Sequence, residues 1–313
     1  MSRPSVKSRK LAASRPTPPP SAAKTPPRNS APEPPPTVSA RWLASMLAIS
    51  LVAAAFCGYC ALCLLFYQGQ WQMLFHPSRS IGATPASAGL AYSDIRFDVT
   101  DSGLPRLDGW WIPAAPNAAY ATDTVLYLHG GRGSLSDCVP ALANLHALGL
   151  NVFAIDYQGF GRSAGRHPTE RLADDDSIAA FTYLTGTRQI APGHIVVYGD
   201  GIGATFAALL AARFAPAAAI LQDPNPPARQ IFLADARARM MPLWLLQKEF
   251  LDPSADLARA HVPRLFLDVR SPAARAHRLF QSSSYPKQYY DLRSSSPSAF
   301  DATLRRFLDE TLR

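Results

Sequence analysis

Hydrophobic and polar positions divide this chain into three regimes. Residues 1–41 hold eleven prolines among Ser, Thr, Ala and basic residues, with almost nothing to bury. Such a stretch cannot offset the entropy of ordering it and is expected to be a disordered tail. Its clusters at Pro18–Pro20 and Pro34–Pro36 read as a solvated spacer, with polyproline docking into an aromatic groove as the alternative. From Trp42 to His76 there is no Lys, Arg, Asp or Glu, and Leu43–Tyr67 is apolar or small throughout. That run is long enough to cross a bilayer as a helix. Trp42 beside Arg41 at one end, and Phe66, Tyr67 and Trp71 at the other, fit interfacial aromatic belts. The reading is therefore a tail over 1–41, an anchor over 42–70 and a globular part over 71–313. A cleaved signal peptide fits less well, because the segment before the apolar run is too long and the run itself exceeds a signal core.

In the third regime the periodicity shortens. Tyr92–Val99 alternates and Leu107–Ile112 contains Gly-Trp-Trp-Ile; with Asp101-Ser102-Gly103 between them, they predict a hairpin. Strands then alternate with helices: strand 125–129, helix 135–148, strand 152–156, helix 171–184, strand 195–198, helix 204–214 and strand 218–221. Buried strands alternating with helices predict a mostly parallel sheet with helices on both faces. Residues 224–251 are irregular and then helical, with Met240, Met241, Trp244, Leu245 and Phe250 forming an apolar surface. A strand over 264–269, a helix through Leu279, a strand over 288–292 and an amphipathic helix carrying Phe300, Leu304, Phe307 and Leu308 complete eight strands. No internal repeat is present.

Charge changes the picture only when mapped. The formal charge is +8, but residues 1–41 carry eight Lys or Arg against the single Glu33, which leaves the remainder at +1. A basic flank beside an apolar run speaks for membrane topology. A near-neutral globular part has no means to hold a nucleic-acid backbone. The positive-inside rule places the tail in the cytoplasm and the globular part outside the cytoplasmic membrane, on the periplasmic side. Cys57, Cys60 and Cys63 lie in the apolar run without His, Asp or Glu beside them and read as small hydrophobes; only Cys138 lies downstream.

The most informative stretch is Ile195–Thr205, in which a β-branched run breaks into Gly199-Asp200-Gly201-Ile202-Gly203 and then an alanine-rich helix. In the G-x-S-x-G nucleophile elbow, small residues two before and two after the nucleophile let strand and helix crowd together. Gly199 and Gly203 keep that spacing, and the centre is Gly201. His129-Gly130-Gly131-Arg132-Gly133 follows a strand. Asp156-Tyr157-Gln158-Gly159-Phe160-Gly161-Arg162-Ser163 forms a second glycine turn, and Gly109-Trp110-Trp111-Ile112-Pro113 ends the second strand. With these segments in this order, the chain from about Leu74 to Arg313 resembles the α/β-hydrolase superfamily, in particular its bacterial branch with one N-terminal membrane helix. The resemblance implies an eight-stranded, mostly parallel sheet, a cap-like segment at about 224–251, and an oxyanion hole built from the amides of Gly131 and Ile202.

The chemistry implied by the resemblance is missing at each position. Gly201 has no side chain. The triad acid's segment reads Asp268-Val269-Arg270-Ser271-Pro272, with no acid at its end, and the base's segment reads Arg293-Ser294-Ser295-Ser296-Pro297, with no histidine beyond His277. Asp200 as an acid nucleophile would put Tyr198 and Ile202 where small residues are required. Ser134 and Ser163 read as turn and cap residues, His129 as a strand-end residue bonding the loop backbone, and Asp223 as a triad-like acid without a histidine. His146, His167, His194, His261 and His277 are scattered, so neither a metal nor a cofactor is expected. The expectation is a membrane-anchored pseudo-hydrolase that binds a small acyl ligand or a protein partner. Two alternatives stand: an active serine-type esterase, thioesterase or peptidase-like enzyme with a displaced nucleophile, and an envelope-interaction protein whose tail is the functional part.

Overall fold

The computed structural model describes residues 37–97, 106–270 and 275–312. The chain divides into two compact units, Met1–Ala55 and Phe56–Arg313. Helix α1 (Ala40–Gly69) buries none of its residues fully. The stretch Ala40–Met73 is the one helix among the described residues long and apolar enough to cross a membrane. The proline-rich tail up to residue 36 and the expected turn at Asp101–Gly103 lie outside the described residues.

After α1 the second unit begins with a two-residue strand β1 (His76–Pro77), followed by β2 (Ser93–Phe97), β3 (Leu107–Ile112), β4 (Tyr120–Leu128) and a second short strand β5 (Arg132–Gly133). Helix α2 (Leu135–Ala147), β6 (Leu150–Asp156), α3 (Glu170–Thr182), β7 (Ile195–Asp200), α4 (Gly203–Phe214) and β8 (Ala218–Gln222) alternate as the pattern predicts. The segment expected to form a cap holds α5 (Ala228–Ala234) and α6 (Leu243–Leu246), and a further helix, α7 (Ser254–Arg259), follows it. Strand β9 (Arg264–Asp268), α8 (Arg275–Ser282), β10 (Lys287–Asp291) and α9 (Pro297–Leu312) complete the fold.

Eight strands form one sheet in the order β10-β9-β8-β7-β4-β6-β3-β2. Pairing is parallel from β10 to β6, whereas β3 runs antiparallel to β6 and β2 antiparallel to β3. Alternate residues of each strand enter opposite cores, as the period of two demands. Leu126, Phe153, Val197 and Leu221 face the side covered by α3 and α4. Val125, Val152, Val196 and Ile220 face the side covered by α2 and α9. From β4 the chain crosses first to β6 and then to β7 on β4's other side. A crevice therefore opens at the carboxyl ends of β4 and β7, where open α/β sheets place their ligands.

The small β1–β5 sheet is absent from the hydrophobic pattern. Its pairing is made by backbone alone, His76 N–H donating to Gly131 O at 2.6 Å and Ser78 N–H to Gly133 O at 2.7 Å. It ties the segment after α1 to the glycine loop that follows β4.

Candidate ligand site at the glycine elbow

The chain leaves β7 at Asp200 and enters α4 at Gly203, so strand and helix pack almost in contact. A Cβ on Gly199 would lie 2.3 Å from the Gly203 carbonyl oxygen, and one on Gly203 would lie 2.0 Å from the Leu128 carbonyl oxygen. Neither position admits a side chain. Gly201, at the apex, has φ +59°, and a Cβ there would meet only Asn225 Oδ1 at 3.5 Å and Gly130 Cα at 3.7 Å. The flanking glycines are imposed by packing. The apex glycine is not, and the site has room for a side chain that this chain does not carry.

Loop 129–133 follows β4. His129 is fully buried, its Nδ1 2.6 Å from the Gly130 carbonyl and its ring 4.5 Å from that of Tyr157. Burial lowers its pKa to about 4, so the ring is neutral at pH 7 and Nδ1–H donates to Gly130 O. Its Nε2 stands 3.6 Å from Asp156 Oδ1, beyond hydrogen-bond reach, and burial raises the Asp156 carboxyl to about 7. His129 holds the loop, as a strand-end residue should. Ser134 caps α2 in a reciprocal box with Asp137, and buried Ser163 accepts from Asp108 N–H and donates to Asp156 O.

Above the elbow lies a cavity of about 610 Å³. Gly130, Gly131, Asp200 and Gly201 line it; Gly199, Gly203, His129 and Ile202 do not. Ile202 is buried behind the elbow, its Cγ2 3.4 Å from where a Gly131 Cβ would stand, so the two residues are neighbours although only Gly131 lines the space. Among the described residues neither N–H donates to a protein acceptor. Met73, Leu74 and His76, from the segment after α1, complete one wall, and Arg132 and Arg275 bring positive charge. Desolvation, and then the Arg132 guanidinium, lower the His76 pKa from its ordinary value. Residue-by-residue reading gave His76 no role, since only the β1–β5 pairing carries it to the cavity and nothing local signals that pairing.

Where a triad would pair acid with base, an arginine holds two carboxylates. Asp223, just past β8, accepts the backbone N–H groups of Val269 and Arg270 at 2.8 and 2.9 Å and the Arg270 Nε at 3.0 Å, while Arg270 Nη2 bonds Asp200 Oδ1. Burial raises Asp200 above its ordinary value against the pull of Arg270. Burial likewise opposes charge on Arg270, but Asp200 and Asp223 together raise its pKa. Arg293, where the base would stand, is paired with Asp291. Cys138 also lines the cavity, and burial pushes its thiol up to about 12, far from the thiolate a nucleophile needs.

Sheet order, crossovers and glycine elbow define an α/β-hydrolase fold. The family model for that fold matches residues 123–312, and the chain belongs to this family. It is 30% identical over 263 residues to the uncharacterized protein Rv2307c of Mycobacterium tuberculosis strain H37Rv, covering 79% of this chain and 90% of that one. It is 32% identical over 133 residues to human alpha/beta hydrolase domain-containing protein 17B, covering 42% of this chain and 45% of the other. Among solved structures, the Pyrococcus furiosus esterase Pf2001 superposes with a TM-score of 0.61 at 19% identity, over 77% of this chain and 99% of that one. At that identity the likeness concerns the fold.

Proposed function

We propose that this chain is a membrane-anchored α/β-hydrolase-fold protein that has lost serine-hydrolase chemistry and holds a small acyl ligand by its carbonyl or carboxylate. The observation that carries the proposal is Gly201: the elbow apex has space for a nucleophile and supplies no atom to act as one. Acyl transfer needs a nucleophile activated by a base that is itself oriented by an acid. Here Asp223, the triad-like acid, and Asp200, the candidate acid nucleophile, are both engaged by Arg270.

Displacement of the nucleophile finds little support. The Cys138 thiol is held protonated, and Asp200 is tied to an arginine. Binding remains well served. Gly131 lines the cavity and its N–H is the donor we assign to a ligand oxygen, with Ile202 packed behind it, and Arg132 and Arg275 add the charge that favours a carboxylate. In this reading residues 1–41 are a cytoplasmic tail, 42–70 the anchor and 71–313 an extracytoplasmic body with its cap at 224–251, oriented by the basic flank.

The test uses the full chain in detergent beside its Gly201→Ser variant. Both are exposed to a fluorophosphonate probe and a short-chain aryl ester, and the native chain is melted with octanoate or octanol. The expected result is no labelling or turnover above buffer in either protein, with octanoate raising the melting temperature and octanol leaving it unchanged. Labelling and ester turnover by the native chain would overturn the proposal, and the labelled peptide would identify the nucleophile.

A further inference from the structure

The cap carries an apolar face that the elbow does not use. Trp244 is 83% exposed, Met240 67%, Leu245 63% and Phe250 58%. Four large apolar side chains this open, within eleven residues of a folded body, mark an interaction surface rather than scattered exposure. What covers them follows from where the cap is attached.

The cap is docked on the second half of α1, and the character of its contacts changes along the helix. At the Tyr67–Gln70 level they are polar. Gln70 accepts from Lys248 N–H at 2.8 Å and donates to Leu246 O at 3.1 Å, and the Lys248 ammonium sits 3.8 Å from the Tyr67 ring centre. Phe66, next to Tyr67, packs edge-on against Phe232 with ring centres 5.5 Å apart, and about one turn earlier Cys63 Sγ lies 3.9 Å from Met241 Sδ. Earlier still, the Tyr59 hydroxyl donates to the Met240 carbonyl at 3.0 Å. The cationic and amide contacts cluster near the helix end, and within the apolar run the contacts are aromatic and thioether ones with a single hydroxyl–carbonyl bond at Tyr59. This is the polarity profile of a headgroup layer above an acyl layer.

Tyr59 and Cys63 lie eight and four residues inside the apolar run Leu43–Tyr67. At 1.5 Å per residue, these are about 12 and 6 Å below the Tyr67 level. Surface-bound apolar elements settle about 5–10 Å into the boundary between headgroups and acyl chains. We infer that the exposed cap face, centred on Met240, Trp244 and Leu245, lies in the bilayer leaflet next to α1, so that the body is seated in the membrane surface and not merely tethered above it. The inference rests on the proposal that α1 spans a membrane and goes beyond it, because a tether alone puts no cap residue in lipid. Ile231, at the cap end, and Met73 and Leu74, just beyond α1, line the elbow cavity. A seated cap therefore sets one wall of that cavity beside the leaflet, where an acyl ligand would be dissolved.

The experiment uses the full chain and its Trp244→Phe variant in phosphatidylcholine vesicles, with flotation as a first check. Emission is compared in ordinary vesicles and in vesicles whose acyl chains are brominated near the headgroup end. The emission difference between the two proteins reports Trp244 alone. It is expected to fall at least about twofold in the brominated vesicles and to resist aqueous iodide, as a residue at shallow acyl depth must. Flotation with a Trp244 signal indifferent to bromine and quenched by iodide would leave anchoring intact and overturn the seated cap. A signal shielded from both quenchers would mean that protein covers the face, and would also overturn it. Failure to float would overturn anchoring and seating together.

Discussion

Arg270 Nε lies 3.0 Å from Asp223 Oδ2, and the same guanidinium reaches Asp200 at the elbow. One cation thus joins the carboxyl ends of β7 and β8 at the rim of the cavity. Removing it in Arg270→Ala takes from Asp200 and Asp223 the guanidinium they share. Because the arginine side chain is 62% exposed, the expected loss is about 1–2 kcal/mol rather than the larger penalty of a fully buried pair. Urea unfolding measures it, and Arg270→Lys should recover part of the loss.

The three elbow glycines should respond differently to alanine. At Gly201 the methyl has space and only the left-handed backbone objects, so Gly201→Ala should cost about 1–2 kcal/mol and leave a cooperative melt. At Gly203 the methyl would enter the Leu128 carbonyl, and Gly203→Ala should cost more than about 4 kcal/mol or prevent folding. Thermal melts of the two variants decide it. Equal behaviour would mean that the elbow is not packed as described.

Gly131 links the cavity to the segment after α1. A Cβ there would stand 2.8 Å from the Leu74 carbonyl. Gly131→Ala should therefore push that segment and the adjoining amide out of place. The expected outcome is a modest fall in melting temperature together with loss of the octanoate-induced shift. A retained octanoate shift would take Gly131 out of the cradle.

The pH dependence has a sign that can be worked out. Burial, and then Glu170, raise the Asp174 carboxyl to about 7, and burial raises Asp156 and Asp176 to similar values. Between about 4 and 7 the folded chain keeps protons that the unfolded chain has released, so stability should fall as pH rises through that window and level off above it. His129, lowered to about 4, acts oppositely and gains stability as pH rises from about 4 to 6.5. The raised carboxyls Asp156, Asp174, Asp176 and Asp200 outnumber the lowered imidazoles His129 and His76 and leave a net fall. The urea midpoint should be higher at pH 5.5 than at pH 8, and Asp174→Asn should flatten the difference.

The fold was largely legible from local signals. Period-two alternation across Ser93–Phe97, the Gly-Trp-Trp-Ile of Leu107–Ile112, buried β-branched runs such as Ile195–Tyr198, and helical periods between them predicted every strand of the eight-stranded sheet. Such patterns record which face of each element is buried. The crowding of Gly199 and Gly203 was legible for a similar reason, because a strand turning straight into a helix leaves no volume for Cβ, whatever surrounds it. The glycine at the elbow apex, Gly201, is likewise a local fact.

The cavity's charge and its far wall depended on tertiary structure. His76 reaches the site through a two-residue backbone bridge with Arg132, which no side-chain period encodes. Arg270 and Asp223, 47 positions apart, meet because β8 and β9 are adjacent and parallel. Ile202 lies next to Gly131 yet behind the cavity surface, a difference of a few ångströms that spacing cannot express. The cap's apolar residues were visible as composition, and their docking along α1 was not. The sequence by itself determined what each segment buries and that the elbow apex is a glycine. Contacts between segments, made by backbone geometry and by charges distant along the chain, decided what stands around that glycine.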